Sequence, residues 1–121
     1  MKTVVIQSFR QRDVPAWVDS CMSSVRAWAG RQGFDYHFIG DEIFDLVPGW
    51  FVDKAAGRVS IGTDLGRLRL ARNFIDQGYG RTVWLDAAAL VFDPAGFNIA
   101  VTEGCAFGRE VWIQQNDRGR L

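Results

Sequence analysis

Apolar residues recur at Val14, Trp17, Val18, Cys21, Met22, Val25, Trp28 and Ala29, the three-and-four rhythm that gathers them on one face of an α-helix. Asp13 is placed to cap this helix, Pro15 to occupy its first turn, and Gly30 and Gly33 to end it. On either side stand runs of β-branched and aromatic residues, 3–7 (TVVIQ) and 35–39 (DYHFI), each of strand length. Strand, helix and strand in immediate succession predict a parallel pair joined by a crossover.

Further along, the pattern loosens. The stretch 40–61 is punctuated by Pro48, Gly49 and Gly57 and closed by Gly62, which predicts a loop with one helical turn. Thr63 is the expected N-cap of a second helix running to about Gln77, with Leu65, Leu68, Arg72 and Ile75 on one face, Leu70 and Phe74 beside them, and Gly78 as terminator. A third strand is expected at 82–86. Residues 90–92 (LVF), stopped by Asp93-Pro94, read as a short strand, and 96–113 as one or two more with a hairpin around Gly104. The last residues, 114–121, read as a frayed end. Alternating strands and helices predict an α/β fold of three layers with a mostly parallel sheet, in one domain spanning 1–121, with ligands bound beyond the carboxyl ends of the strands.

Composition removes several function classes. A chain of 121 residues suits one domain. Lys+Arg and Asp+Glu balance at 14 each, and zero net charge argues against binding to a nucleic-acid backbone. Apolar residues at 48% and charged residues at 23% are the proportions of a soluble globular protein. No stretch approaches the ~20 apolar residues of a membrane span, and the run after Lys2 is too short for a secretory signal. The expected compartment is therefore the cytoplasm. Cys21 and Cys105 stand far apart, without the spacing of a zinc site or a disulfide framework.

Three polar clusters fall at predicted strand ends: Gln7 with Ser8, Asp64 with Arg67, and Asp86. Asp64 and Arg67 are three apart, on one side of a helical turn. They read either as a simple surface pair or, given Gly66 between them, as a place where a phosphate or ribose approaches exposed amides. Asp86 reads either as the cap of a helix AAALVF or, since Leu90-Val91-Phe92 ends at a proline, as an acid emerging from the ligand-bearing edge of the sheet. His37 lies inside a strand and reads as structural. No GxGxxG, GxxxxGK[ST] or GxSxG is present, so dinucleotide, P-loop and serine-hydrolase chemistry lack their motifs.

The segment 63–94, TDLGRLRLARNFIDQGYGRTVWLDAAALVFDP, resembles the core of GT-A-fold glycosyltransferases, in which an (S/T)D-x-x-R helix, a glycine turn and a hydrophobic strand lead to an Asp-x-Asp motif. VVIQSFR at the start and DYHFIGDE at 35–42 are similar to the opening of such sugar-transferase-like proteins. The resemblance implies a Rossmann-like GT-A nucleotide-sugar-binding half and a nucleotide-diphosphate sugar as partner, usually UDP-linked, with Mn²⁺ or Mg²⁺ bridging the diphosphate. It implies hexosyl-type transfer from that donor, with Gln7 and Ser8 near the base, Asp64 and Arg67 near the ribose or donor sugar, and Asp86 as first acid of the motif and metal ligand. The second acid position falls on Ala88. Mg²⁺ needs only one or two carboxylates besides substrate phosphates, so Asp86 alone is compatible with a nucleotide-dependent site. Family members continue into an acceptor-binding half for which 121 residues leave no room. An open sheet edge there favours a homo-dimer. The alternative is a non-catalytic GT-A remnant serving as an interaction or assembly module.

Overall fold

The structure, a computed structural model, describes residues 1–55, 58–101 and 104–108. Its elements are β1 (Thr3–Ser8), α1 (Ala16–Gln32), β2 (Asp35–Ile39), a 3-10 helix (Asp41–Leu46), α2 (Gly49–Ala55), α3 (Val59–Asp76) and β3 (Arg81–Trp84). The strands form one parallel sheet in the order β2-β1-β3, with Val5 opposite both Tyr36 and Val83. β1 is the central strand, and Thr3 through Gln7 are all buried, which is why its sequence is a continuous rather than alternating apolar run.

Successive strand residues point to opposite faces. Val4 and Ile6 pack with Ile39, Ile43 and Leu70, so α3 and the 3-10 helix cover one face. Val5 packs with Val25, Trp28, Ala29 and Val83, so α1 covers the other. The fold is α/β, built on a small, open, all-parallel sheet. Among the described residues no helix is long and apolar enough to cross a membrane.

α1 and β2 lie where the periodicity puts them, with differences at the helix ends. Asp13 does not cap α1. It adopts a positive φ of 52°, its carbonyl accepts the Arg10 guanidinium at 2.9 Å, and Pro15 takes the N-cap position without a side-chain cap. Gly30 lies within the helix, and Gly33, at φ 74°, makes the left-handed C-cap, its N–H bonded to the Gly30 carbonyl. Trp17 is exposed, but Trp28 is fully buried. The Trp28 indole N–H donates to the Phe97 carbonyl at 3.0 Å, which ties the chain after β3 onto α1.

The expected loop at 40–61 is mostly helical. Pro48 starts α2 rather than breaking the chain, since its carbonyl accepts the N–H groups of Phe51 and Val52, and a proline lacking its own N–H is harmless at a helix start. α3 begins at Val59, so Thr63 lies inside it and is not its N-cap. Its packed face also differs from the expected one. Gly62, Gly66 and Leu70 are buried and Phe74 half-buried, whereas Leu68 and Ile75 are 65% and 54% exposed. Two of the four inward residues are glycines, which contribute nothing to an apolar periodicity.

β3 ends at Trp84, though the Leu85 N–H still bonds to the Ile6 carbonyl at 3.2 Å. Residues 90–92 form no strand. The Val91 N–H donates to Ser24 Oγ of α1 at 3.0 Å, a side-chain partner in place of a neighbouring strand. Residues 97–101 are irregular, and the expected hairpin around Gly104 and the end at 114–121 fall largely outside the described residues.

Candidate functional site

From β1 the chain passes through α1 to β2 on one side, and it returns through α3 to β3 on the other. The connections therefore reverse at β1, and the carboxyl ends of β1 and β3 stand side by side at the place where open α/β sheets bind ligands.

Gln7 is fully buried there. Its Nε2 donates to the Asp86 carbonyl at 3.0 Å, and its Oε1 accepts the Tyr36 hydroxyl at 2.7 Å. Burial pushes the Tyr36 phenol above its ordinary 10.0, with Arg26 opposing the shift, so the hydroxyl remains a donor. Both ends of the Gln7 amide are thus used inside the protein. Gln7 thereby fastens the carboxyl end of β3 to β1. Ser8 is half-buried at the last position of β1, opposite Ile39.

The Asp86 carbonyl also accepts the Ala89 N–H at 2.9 Å, which closes a β-turn over 86–89. Asp86 is therefore not the cap of a helix. Ala87 at the turn's second position is buried beside Val18 and Met22 of α1, and this inward anchor leaves Asp86 and Ala88 exposed. The turn thus presents residues 86 and 88 to solvent.

Asp64 and Arg67 come together as the spacing predicts, but loosely. Arg67 Nη1 is 4.0 Å from Asp64 Oδ1, with both side chains substantially exposed, a geometry that contributes little to stability. Because α3 starts at Val59, this pair is not in the first turn, and the free amides of a helix start are not at Asp64. Gly66 likewise has an internal explanation. A Cβ there would meet Ile43 Cγ1 at 2.9 Å, so the glycine admits the 3-10 helix rather than a phosphate. The Arg67 guanidinium lies over the Trp84 ring, 5.4 Å from its centroid, a cation–π contact that carries its charge toward the end of β3. Trp84 is the last residue of β3 and Asp86 follows it by two; Arg67 touches Trp84 and Asp64.

Glu42, which the sequence reading passed over, adds an exposed acid just beyond the carboxyl end of β2. Bonds from its own N–H and that of Gly40 hold its carboxyl below the usual range. The signal in the sequence is the GDE that follows the strand directly. Among the described residues no group of three or more His, Cys, Asp or Glu gathers as a metal site, and the donor that the turn offers a cation is Asp86.

A groove among the described residues lies away from this edge. It covers about 750 Å³ between the 3-10 helix and α3, with Asp45, Leu46, Leu65 and Leu68 among its walls. Its lining lacks Arg67, Trp84 and Asp86, so the chemistry of the sheet edge, not depth, marks the candidate site. No family model matches the chain, and neither the curated proteins nor the solved structures contain a match to it.

Proposed function

We propose that this chain is a nucleotide-diphosphate-sugar-binding domain of the glycosyltransferase-like type, with a three-layer, Rossmann-like GT-A architecture. The observation that supports this most directly is what stands at the carboxyl end of β3: Trp84, the last residue of the strand, carries the Arg67 guanidinium over its ring, and Asp86, two residues further along the chain, is exposed, beside the reversal of strand connections at β1.

Arg67 is suited to hold diphosphate oxygens by charge-assisted hydrogen bonds. Asp86 supplies one carboxylate to a Mn²⁺ or Mg²⁺ that arrives with the nucleotide, because a single acid does not make a protein-held site but suffices when phosphates provide the other oxygens. In sugar transfer the departing nucleotide diphosphate gathers negative charge, and a fixed guanidinium beside it stabilises that charge. Gln7 acts at one remove, by holding the Asp86 turn against β1.

Thermal denaturation of the full chain with UDP and UDP-sugars, with and without Mn²⁺, tests the reading. Binding to the folded state raises the midpoint, more with Mn²⁺ than without, and Arg67→Ala and Asp86→Ala each diminish the rise. Absence of any shift at millimolar nucleotide would sink the proposal.

A further inference from the structure

We propose that α3 is the self-association surface of this protein, with two copies meeting through it antiparallel about a two-fold axis at Leu68. This goes beyond nucleotide binding and does not depend on it. Gly62, Gly66, Leu70 and Phe74 face the body of the domain, so residues on the far side of the helix project outward. These are Ile61, Leu65, Leu68, Arg72 and Ile75, spaced four, three, four and three, the rhythm of a helix that packs along another helix; Leu65, Leu68 and Arg72 also border the open groove beside the 3-10 helix. Ile61, Leu68 and Ile75 are 37%, 65% and 54% exposed. Apolar side chains in one such stripe form a surface, unlike singly scattered ones.

The stripe is its own complement. Ile61 is seven residues before Leu68 and Ile75 seven after it, so reversal about Leu68 sets Ile61 on the second copy's Ile75 and Leu68 on Leu68. One pair of charges obeys the same reversal, while Arg67 lies over Trp84. Asp64 lies four residues before Leu68 and Arg72 four after it, which brings Asp64 opposite the second copy's Arg72, twice by symmetry. The aliphatic stem of Arg72 covers Leu65 of the second copy while its head reaches the carboxylate. A parallel pairing would instead set Asp64 beside Asp64 and Arg72 beside Arg72. The contact is closed and isologous. A helix of 18 residues is about 27 Å long, long enough for the contacts at 61, 68 and 75 to form together, and dissociation is expected at micromolar concentrations.

Sedimentation equilibrium of the full chain without nucleotide, across micromolar concentrations, tests this. The wild type passes from monomer to dimer. Leu68→Glu and Arg72→Asp each weaken dimerisation at least about tenfold, and adding Asp64→Arg to Arg72→Asp restores it. Cross-linking provides a second measurement. In a Cys105→Ser background, which removes the exposed thiol, Leu68→Cys oxidises to a covalent dimer. Ile61→Cys alone does not, because it meets position 75. A wild type that stays monomeric to about 300 µM, far above a micromolar dissociation constant, overturns the proposal. So does a dimer indifferent to Leu68→Glu, a charge swap that fails to restore association, or equal cross-linking from positions 61 and 68.

Discussion

Gly66 of α3 and Ile43 of the 3-10 helix touch so closely that no methyl group fits between them: a Cβ at Gly66 would stand 2.9 Å from Ile43 Cγ1 and 3.0 Å from its carbonyl oxygen. Alanine is the better helix former by about 1 kcal/mol, whereas overpacking of this kind costs about 1–3 kcal/mol. Gly66→Ala is therefore expected to destabilise the protein by about 1 kcal/mol or more despite its helix propensity. Gly30 is the control. It lies within α1, and nothing stands within 4 Å of its missing Cβ, so Gly30→Ala stabilises by roughly 0.5–1 kcal/mol. Urea midpoints that move in the same direction for both variants would show that the 3-10 helix yields to the methyl.

Gln7 joins two parts of the site through one buried amide. Gln7→Leu keeps an apolar body in the sheet but leaves the Tyr36 hydroxyl and the Asp86 carbonyl without that partner. Leaving such groups unpaired costs about 1–3 kcal/mol. Tyr36→Phe removes one of the stranded groups, so the double variant is expected to lose less than the sum of the single losses. Additive losses in urea denaturation would mean that the hydroxyl and the amide are not coupled.

Both tyrosines of the chain are expected to titrate late. Desolvation raises Tyr36 above 10.0, with Arg26 opposing. Tyr79 is raised by its hydrogen bond to the Asp35 carboxylate, then by desolvation and the Asp35 charge. In each case folding favours the protonated form, so the stability gained is fully present below pH 10.0 and is lost as pH rises through the folded-state values. Tyrosinate absorbance in the native protein should develop above that pH, and in urea near the ordinary value of about 10. Tyr79→Phe removes one of the two native transitions. A native titration that coincides with the one in urea would contradict this.

How much of this was legible in the sequence depends on which residues make each contact. α1 and β2 declare themselves because the residues that pack, such as Val25, Trp28 and Ile39, are apolar and periodic. α3 is harder, since Gly62 and Gly66 pack through their lack of a side chain, and the outward Leu68 and Ile75 carry the stronger apolar signal. The Asp86 turn is fixed by Gln7, 79 positions away, and the chain after it by the Val91 N–H donating to Ser24 of α1. Such long-range polar contacts leave no local mark, so residues 90–92 look like a strand. The pairing of Asp64 with Arg67 follows from helical spacing, but the seat of Arg67 on Trp84 depends on how α3 crosses the sheet.

The proposed role of Asp86 can be tested by adding a second acid to its turn. Ala87 is 2% exposed, but Ala88 is exposed in the same turn and has no positive φ, so Ala88→Asp should change stability by no more than about 0.5 kcal/mol. It adds a second carboxylate to the side of the turn that carries Asp86. If Asp86 supplies a carboxylate to a cation that accompanies the nucleotide diphosphate, the added acid supplies another hard oxygen donor. Mn²⁺ should then bind Ala88→Asp more tightly in the presence of UDP, by roughly tenfold, or about 1.4 kcal/mol. Ala87→Asp, with its carboxylate forced toward Val18 and Met22, should instead unfold more easily. Calorimetry that finds equal Mn²⁺ affinity in the wild type and in Ala88→Asp, both with UDP, would remove the 86–89 turn from the proposed diphosphate site.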